Sequence, residues 1–222
     1  MDNKVKRRQE LDLQIKNRKE KIKSAAIQCF KDHGIENTKI SDIAKAAGVG
    51  EATIYRYFET KPRLVIDCAV DVWKTELELL LAEAELQCEK DADGFSKLSG
   101  IFEMIGSIYE RKPILLSLLE QLDNFIIKEK IPEEELTQFE SAISCTAAYA
   151  LRVIREGRED GSIRSDFNES LFYMSAGHAV LSLSQRLLLR GNILISDRKE
   201  GHQAEIDFLI NALLSFVKGT KK

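Results

Sequence analysis

The 222-residue sequence contains few residues that break helices and no segment suited to crossing a membrane. It has only 3 prolines and 12 glycines, while Leu, Ile, Ala, Glu and Lys, which are compatible with helices, are abundant. No apolar run approaches the roughly 18 residues of a transmembrane helix, and no apolar core of a signal peptide follows the charged N-terminus. We therefore expect an all-α, cytoplasmic protein with no membrane partner.

The sequence also lacks the motifs that identify common enzymes and metal sites. HExxH, GxxxxGK and GxSxG are absent, and residues 48–50 lack the third glycine of a dinucleotide-binding fingerprint. There is no CxxC pair among the 4 cysteines, and the 3 histidines are scattered, so neither a disulfide framework nor a zinc site is indicated. We expect no enzymatic activity, no cofactor and no metal. The cysteines are Cys29, Cys68, Cys88 and Cys145.

Positive charge is concentrated at the N-terminal end of the chain. Residues 1–61 hold 14 Lys and Arg against 9 Asp and Glu, whereas residues 62–222 hold 19 against 27. A basic end on an acidic body fits a protein that presents one end to DNA phosphates, although the same charges also suit an ordinary solvated surface. The first basic residues, including Arg7 and Arg8, belong to an arm over residues 1–16 that either reaches DNA or is a disordered tail, which we favour.

Two short helical patterns meet at a glycine between Thr38 and Lys61. Ile40, Ile43, Ala44 and Ala47 repeat at helical spacing. Gly48 can end the first helix and turn the chain within about three residues, and Thr38 is a candidate N-cap. The second helix begins with small residues, so it could enter a DNA major groove end-first. The pattern predicts a helix-turn-helix at about residues 40–59, although a helical corner that does not bind DNA has the same spacing.

The spacing of many residues around this turn resembles a known family. The pattern consists of Ile22, Ala25, Ala26, Phe30, Gly34, Thr38, Asp42-Ile43-Ala44, Ala47-Gly48-Val49, Thr53-Ile54-Tyr55, Tyr57-Phe58, Lys61 and Leu64. It is similar to the N-terminal domain of the tetracycline-repressor (TetR) family of bacterial transcriptional regulators. The resemblance implies a three-helix DNA-binding domain over residues 17–64 and a helical effector-binding and dimerisation domain over residues 65–222, with about nine helices in all.

The residues on and around the second helix are the candidate DNA contacts. Hydroxyl and cationic groups near the end of this helix are placed to bind phosphates, with Lys39 and Glu51 as candidates for base contacts. The full set is Thr38, Lys39, Gly50, Glu51, Ala52, Thr53, Tyr55, Arg56, Tyr57 and Lys61. The partner we expect is double-stranded DNA with a palindromic operator sequence.

The rest of the chain shows a succession of amphipathic helical patterns. Thr60 is a candidate N-cap for a helix that starts at about Lys61 and continues toward Gln87. Further helices are expected after Asp93-Gly94, over residues 114–127, from Glu133 and after Asn168, and the last one follows a loop at residues 191–201. These boundaries predict an α-helical body without strands.

The last two helices carry wide apolar stripes. Together with the resemblance, these stripes imply that the two helices pair with their copies as a four-helix homodimer interface, although burial within one chain accounts for apolar stripes as well. The interface set is Phe172, Ala176, Ala179, Val180, Leu183, Leu187, Ile206, Leu209, Leu213, Phe216 and Val217.

An apolar pocket for an effector is expected among the helices between about residues 61 and 154, closed by the helix after Asn168. Large side chains with few charges among them favour a hydrophobic or aromatic ligand, although core packing explains each residue singly. The candidate ligand residues are Trp73, Phe102, Met104, Tyr109, Phe125, Tyr149 and His178, with Asn124 as a further polar contact.

These features predict a sequence-specific transcriptional regulator that binds its operator as a homodimer. We expect a repressor that a small hydrophobic or aromatic effector releases from DNA. The alternative is a helical protein–protein adaptor, or a carrier of lipid or other hydrophobic ligands, that binds no specific DNA. Salt-sensitive binding to one palindrome distinguishes the two.

Overall fold

The computed structural model describes residues 3–87, 91–193, 195 and 201–219. Over these residues the chain forms nine α-helices, which confirms the all-α prediction. They are α1 (Asn3–His33), α2 (Ile40–Ala47), α3 (Glu51–Phe58), α4 (Lys61–Gln87), α5 (Gly94–Arg111), α6 (Pro113–Glu129), α7 (Glu133–Glu159), α8 (Glu169–Arg190) and α9 (His202–Val217). None of the helices in the described ranges is long and apolar enough to span a membrane.

The N-terminal arm is helical rather than a disordered tail. Helix α1 is continuous from Asn3 to His33, so the tail expected over residues 1–16 is wrong for the described part. Neither glycine nor proline interrupts this segment, and its Lys, Arg, Glu, Gln and Leu residues have high helix propensity. The side chains of residues 5–18 are nevertheless exposed, so local propensity rather than packing accounts for this part of α1.

Short-range capping signals account for several helix starts. Thr60 Oγ1 accepts a hydrogen bond from the backbone N–H of Arg63 at 3.2 Å, and Asn168 Oδ1 accepts one from Leu171 at 2.9 Å. These contacts satisfy backbone donors that the first turn of a helix leaves unpaired. Helices α4 and α8 therefore begin where the sequence predicts.

The chain divides into two units. Unit 1 comprises Met1–Asp71 and Gln121–Phe139, and unit 2 comprises Val72–Glu120 and Glu140–Lys222. Helices α4, α6 and α7 each contribute residues to both units. Unit 1 includes the segment around the α6–α7 turn. The division predicted at residue 64 assigns this segment to the second domain instead.

The core of unit 2 forms around α5. This helix packs against α8 and α9, and its fully buried side chains include Leu98, Phe102 and Ile108. A Cβ atom at Gly106 would lie only 2.5 Å from Ile210 Cδ1. Glycine at this position therefore allows α9 to approach α5 closely.

Six residues predicted at the dimer interface lie in this core instead. The apolar stripe that the 3.6-residue period reveals on α8 and α9 is the side that packs within the chain. These six side chains are buried within the single chain, which leaves them little surface for a partner: Phe172, Ala176, Val180, Leu187, Ile206 and Val217. Leu183, Leu209 and Leu213 are partly exposed, whereas Ala179 and Phe216 are exposed.

Candidate functional site

Helices α2 and α3 form the predicted helix-turn-helix in unit 1. Helix α2 ends at Ala47, and Gly48 follows with φ of +63°, a left-handed conformation that costs glycine little. Ile43 and Ala47 of α2, and Ile54 and Phe58 of α3, are buried. Because its buried residues occupy one side, α3 presents its other side to solvent.

The exposed side of α3 carries the residues predicted to contact DNA. Glu51, Ala52 and Arg56 are exposed, and the Tyr55 side chain is 47% exposed. The Arg56 guanidinium lies over the Tyr57 ring, 5.0 Å from its centroid, which holds a cation beside this phenol group. This surface offers donors for phosphates and side chains for base edges.

The N-terminal end of α3 adds backbone donors to this surface. Its N-cap is Gly50, which is exposed and supplies no side-chain cap. The N–H groups of the first turn point out of the helix, where they can donate to a phosphate. Thr53 is half-buried and Lys39 is exposed near the start of α2, so both are accessible to a bound duplex.

Two predicted DNA contacts have internal roles. Thr38 is only 1% exposed, and its hydroxyl donates to the Gly34 carbonyl at 2.7 Å; it is neither the N-cap of α2 nor accessible to DNA. The N-cap is Lys39, whose N–H donates to Asp42 Oδ2 at 3.0 Å. Lys61 Nζ donates to the Glu36 carbonyl at 3.2 Å, and burial lowers the pKa of its ammonium group.

The buried position of Thr38 leads to a stability prediction. Thr38→Val keeps the shape of the side chain but removes a buried hydroxyl, so we expect the free energy of unfolding to fall by about 1–2 kcal/mol. The salt dependence of DNA binding should stay unchanged because Thr38 touches no phosphate. Urea denaturation measures the first quantity. Thr137→Val is the control, because the hydroxyl of Thr137 also donates to a carbonyl but is exposed, and should change stability by less than about 0.5 kcal/mol.

Residues of α6 pack on the segment that joins α1 to α2 within unit 1. Gln121 Oε1 accepts a hydrogen bond from the Ile35 N–H at 2.9 Å, and Lys128 Nζ lies 2.8 Å from Glu36 Oε2. The ammonium group of Lys61 lies 5.5 Å from the centroid of the Phe125 ring. These contacts, which the sequence pattern did not predict, hold α6 against the α1–α2 connection and the start of α4.

Unit 2 contains a cavity of about 140 Å³. Its lining is almost entirely apolar, and its few polar groups are on Trp73, Thr146, Tyr173 and His178. Five helices contribute: Trp73 and Leu81 of α4; Ile101, Met104, Ile105 and Ile108 of α5; Leu119 of α6; Ile143 and Thr146 of α7; and Tyr173, Met174, Gly177, His178 and Leu181 of α8.

The cavity brings together three of the predicted ligand residues, namely Trp73, Met104 and His178. The other four predicted residues do not line it. Phe102 is fully buried against Phe172, and Tyr109 pairs with His202 through a 2.7 Å hydrogen bond. Phe125 belongs to unit 1, and Tyr149 lies under the Arg152 guanidinium.

Sequence reasoning missed most of the lining residues because they follow the same helical stripes as ordinary core residues. One signal was present for Gly177, which is a glycine inside a helix. Glycine is unfavourable there by about 1 kcal/mol relative to alanine, so its position indicated a special packing environment.

The cysteines form no site in the described chain. Cys29 and Cys68 are buried and Cys145 is exposed, while Cys88 lies outside the described residues. Burial raises the pKa of the Cys29 and Cys68 thiols, which opposes thiolate formation. Over the described ranges, no three or more His, Cys, Asp or Glu residues are grouped to hold a metal ion.

An exposed second helix in a helix-turn-helix, followed in the chain by a helical body with an apolar cavity, is typical of a DNA-binding regulator of transcription. Residues 22–68 match the family described as bacterial regulatory proteins, tetR family. This match and the relatives that follow support a transcriptional regulator of the TetR family.

Relatives of similar length agree with this assignment. The chain is 24% identical over 162 residues to the HTH-type transcriptional regulator AqdR of Rhodococcus erythropolis, covering 73% of this chain and 72% of AqdR. It is 25% identical over 164 residues to the HTH-type transcriptional repressor KstR2 of Mycolicibacterium smegmatis, covering 71% and 73%. The solved structure of the ketosteroid transcriptional regulator KstR2 of Mycobacterium tuberculosis shares the fold, with a TM-score of 0.59 and 17% identity.

 The alignment with that structure covers 91% of this chain and 96% of the solved chain.

Proposed function

We propose that the protein is a transcriptional repressor that binds an inverted-repeat operator as a homodimer and is released by a small, mostly hydrophobic or aromatic effector. The observation that carries this proposal is the exposed face of α3, where Tyr55 and Arg56 project from a helix whose other side is buried. In this proposal the protein acts by binding DNA and does not catalyse a reaction. One relative, KstR2 of Mycolicibacterium smegmatis, is named a repressor.

Dimerisation is supported by the outward faces of α8 and α9. The Phe208 side chain is 77% exposed, and its neighbours at helical spacing on α9, Ala204, Ala212 and Ser215, are exposed small residues. On α8, Ala179 and Ser182 are exposed as well. Small residues allow helices to approach closely, and a large exposed aromatic side chain is a common centre of an interface. We therefore place the interface on these outward faces.

Release by an effector is supported by the cavity of unit 2 together with the continuity of the helices. Helix α4 carries Trp73, which lines the cavity, and Lys61, which belongs to unit 1. A ligand that favours the conformation with lower operator affinity shifts the population toward it. Linkage requires that operator weakens effector binding by the same factor.

A mobility-shift titration with genomic fragments tests the proposed function. We expect one set of fragments that shares an inverted repeat to be retained, with affinity that falls steeply as salt increases. An adaptor or carrier would bind all fragments equally or none. Sequencing the retained fragments identifies the operator.

The exposed Arg56 gives a prediction for the DNA contact. Arg56→Ala should weaken binding to all sequences alike and lower the slope of log affinity against log salt concentration by about one unit, because one phosphate contact is lost. Fluorescence anisotropy at several salt concentrations measures both quantities.

Arg152→Ala is the matched control for this prediction. The Arg152 guanidinium lies 5.1 Å from the centroid of the Tyr149 ring, much as Arg56 lies 5.0 Å from that of Tyr57, but it belongs to unit 2. This control should leave affinity and salt slope unchanged. Equal salt slopes for wild type and the Arg56 variant would contradict the proposed contact.

A further inference from the structure

The size of the cavity in unit 2 limits the ligand. Its volume is about 140 Å³, close to the roughly 150 Å³ of an apolar engineered cavity that binds benzene. A cavity of this volume accommodates one six-membered ring with a short substituent. A four-ring skeleton would require the surrounding helices to separate.

The charge of the cavity limits the ligand further. Its lining contains no Asp, Glu, Lys or Arg. A carboxylate or ammonium group would therefore lose its water without gaining a partner from Asp, Glu, Lys or Arg, which is unfavourable, and the one imidazole of the lining, that of His178, is on an exposed residue. The ligand that fits this lining is neutral.

Two polar side chains of the lining besides Trp73 and Thr146 are available to bind a ligand, but His178 is exposed to solvent, whereas Tyr173 is half-buried. The Thr146 hydroxyl already accepts a hydrogen bond from the Trp73 indole at 3.4 Å. The Tyr173 hydroxyl has no hydrogen-bond partner among the described residues, and burial raises the pKa of this phenol. It therefore stays protonated at neutral pH and can donate to a carbonyl oxygen.

Gly177 leaves open space beside the cavity. A Cβ atom at this position would meet no atom within 4 Å outside its own helix backbone and chain neighbours. Glycine costs about 1 kcal/mol in the middle of a helix, and here no close approach of a neighbouring element requires it. The absent side chain enlarges the space in which a flat ring can lie.

We propose that the effector is a neutral single-ring molecule with a short substituent carrying one hydrogen-bond acceptor, which the Tyr173 hydroxyl binds while the ring lies beside Gly177. This inference rests on the proposed function, because it names the ligand class of the same effector site. Under this proposal, steroids, acyl chains and charged drugs are not ligands of this cavity.

Four single-ring probes test the charge and polarity of the ligand by calorimetry on the purified full chain. We expect acetophenone to bind, ethylbenzene to bind about three- to tenfold more weakly because it lacks the acceptor, and benzoate and benzylammonium to show no binding. Progesterone tests the size limit and should not bind. Charged probes that bind as tightly as acetophenone, or progesterone that binds more tightly, would overturn the inference.

Substitutions at the two residues locate the binding site. Gly177→Leu fills the cavity, so we expect acetophenone affinity to fall more than tenfold while the helix gains stability. Gly100→Leu is the matched control, because Gly100 is also inside a helix with no atom within 4 Å of its Cβ position and does not line the cavity. It should bind acetophenone as the wild type does.

Tyr173→Phe supplies an independent test with a conservative change. We expect it to weaken acetophenone about three- to tenfold and to leave ethylbenzene unchanged, because only the hydrogen bond is lost. Wild-type acetophenone affinity in both the Gly177 and the Tyr173 variants would refute the proposed site.

Failure of this inference is distinguishable from failure of the proposed function. Calorimetry measures ligand binding without DNA, and the mobility shift measures operator binding without ligand. Operator binding by a protein that prefers progesterone would leave the function standing and overturn the ligand class. Acetophenone binding by a protein that retains no DNA fragment would support the ligand class and overturn the proposed function.

Discussion

Phe208→Asp is expected to convert the proposed homodimer into monomers. The Phe208 side chain is 77% exposed in one chain, so the folded chain tolerates a charge there, whereas an interface would desolvate that charge without a partner. We expect dimerisation to weaken by at least about 2 kcal/mol, the loss typical of a central interface residue, or about thirtyfold. Sedimentation velocity at micromolar concentration measures the change.

Two further variants make this result specific. Leu86→Asp is the control, because Leu86 of α4 is 86% exposed and lies outside α8 and α9; the protein should remain dimeric. Val180→Asp places the charge at a position that is 0% exposed, so it should unfold the chain rather than release folded monomers. Wild-type protein that sediments as a monomer, or a Phe208 variant that remains a dimer, would exclude the interface on α9.

Scrambling one half of the operator is expected to lower affinity by about thirtyfold or more. Each recognition helix of a two-fold dimer contacts one half-site. Specific binding typically exceeds non-specific binding by about 4–10 kcal/mol. Losing one set of base contacts therefore removes roughly half of this free energy, about 2–5 kcal/mol. Anisotropy titration of intact and half-scrambled duplexes at one fixed salt concentration measures the ratio.

The spacing of the half-sites provides the control for this experiment. Inserting about five base pairs between them rotates one half-site to the opposite face of the duplex, so the dimer cannot engage both. We expect a loss similar to that from scrambling. A protein that binds the half-scrambled duplex as tightly as the intact one would not be reading an inverted repeat.

Local sequence signals located most helices correctly. Gly48 turns the chain between α2 and α3, and Thr60 and Asn168 begin α4 and α8 as predicted. Such signals act within a few residues, since a cap contacts backbone groups of the adjoining turn. The family resemblance over residues 22–64 likewise rests on one short, continuous segment of the chain. The segment that matches the family is residues 22–68.

Predictions that depended on burial were less successful. Thr38 has the residue type of an N-cap, but it is buried and its hydroxyl donates to backbone carbonyls. The apolar stripes of α8 and α9 contain Val180 and Ile206, which are fully buried in one chain. A helical period shows which residues share a face but not whether that face meets the same chain or a second one.

The amino-acid sequence by itself determined the all-α class, most helix boundaries and the helix-turn-helix, because propensities, caps and turns act between neighbours in the chain. Tertiary structure alone decided the lining of the cavity, to which Gly177 and Tyr173 of α8, Leu119 of α6 and Ile105 of α5 all contribute. It also decided that Gln121 supports Ile35, 86 residues away along the chain. The physical reason is that packing brings together residues that are far apart in the sequence, and no periodic pattern along the chain shows which of them will meet. Their complementary shapes and unpaired polar groups are therefore seen only in three dimensions.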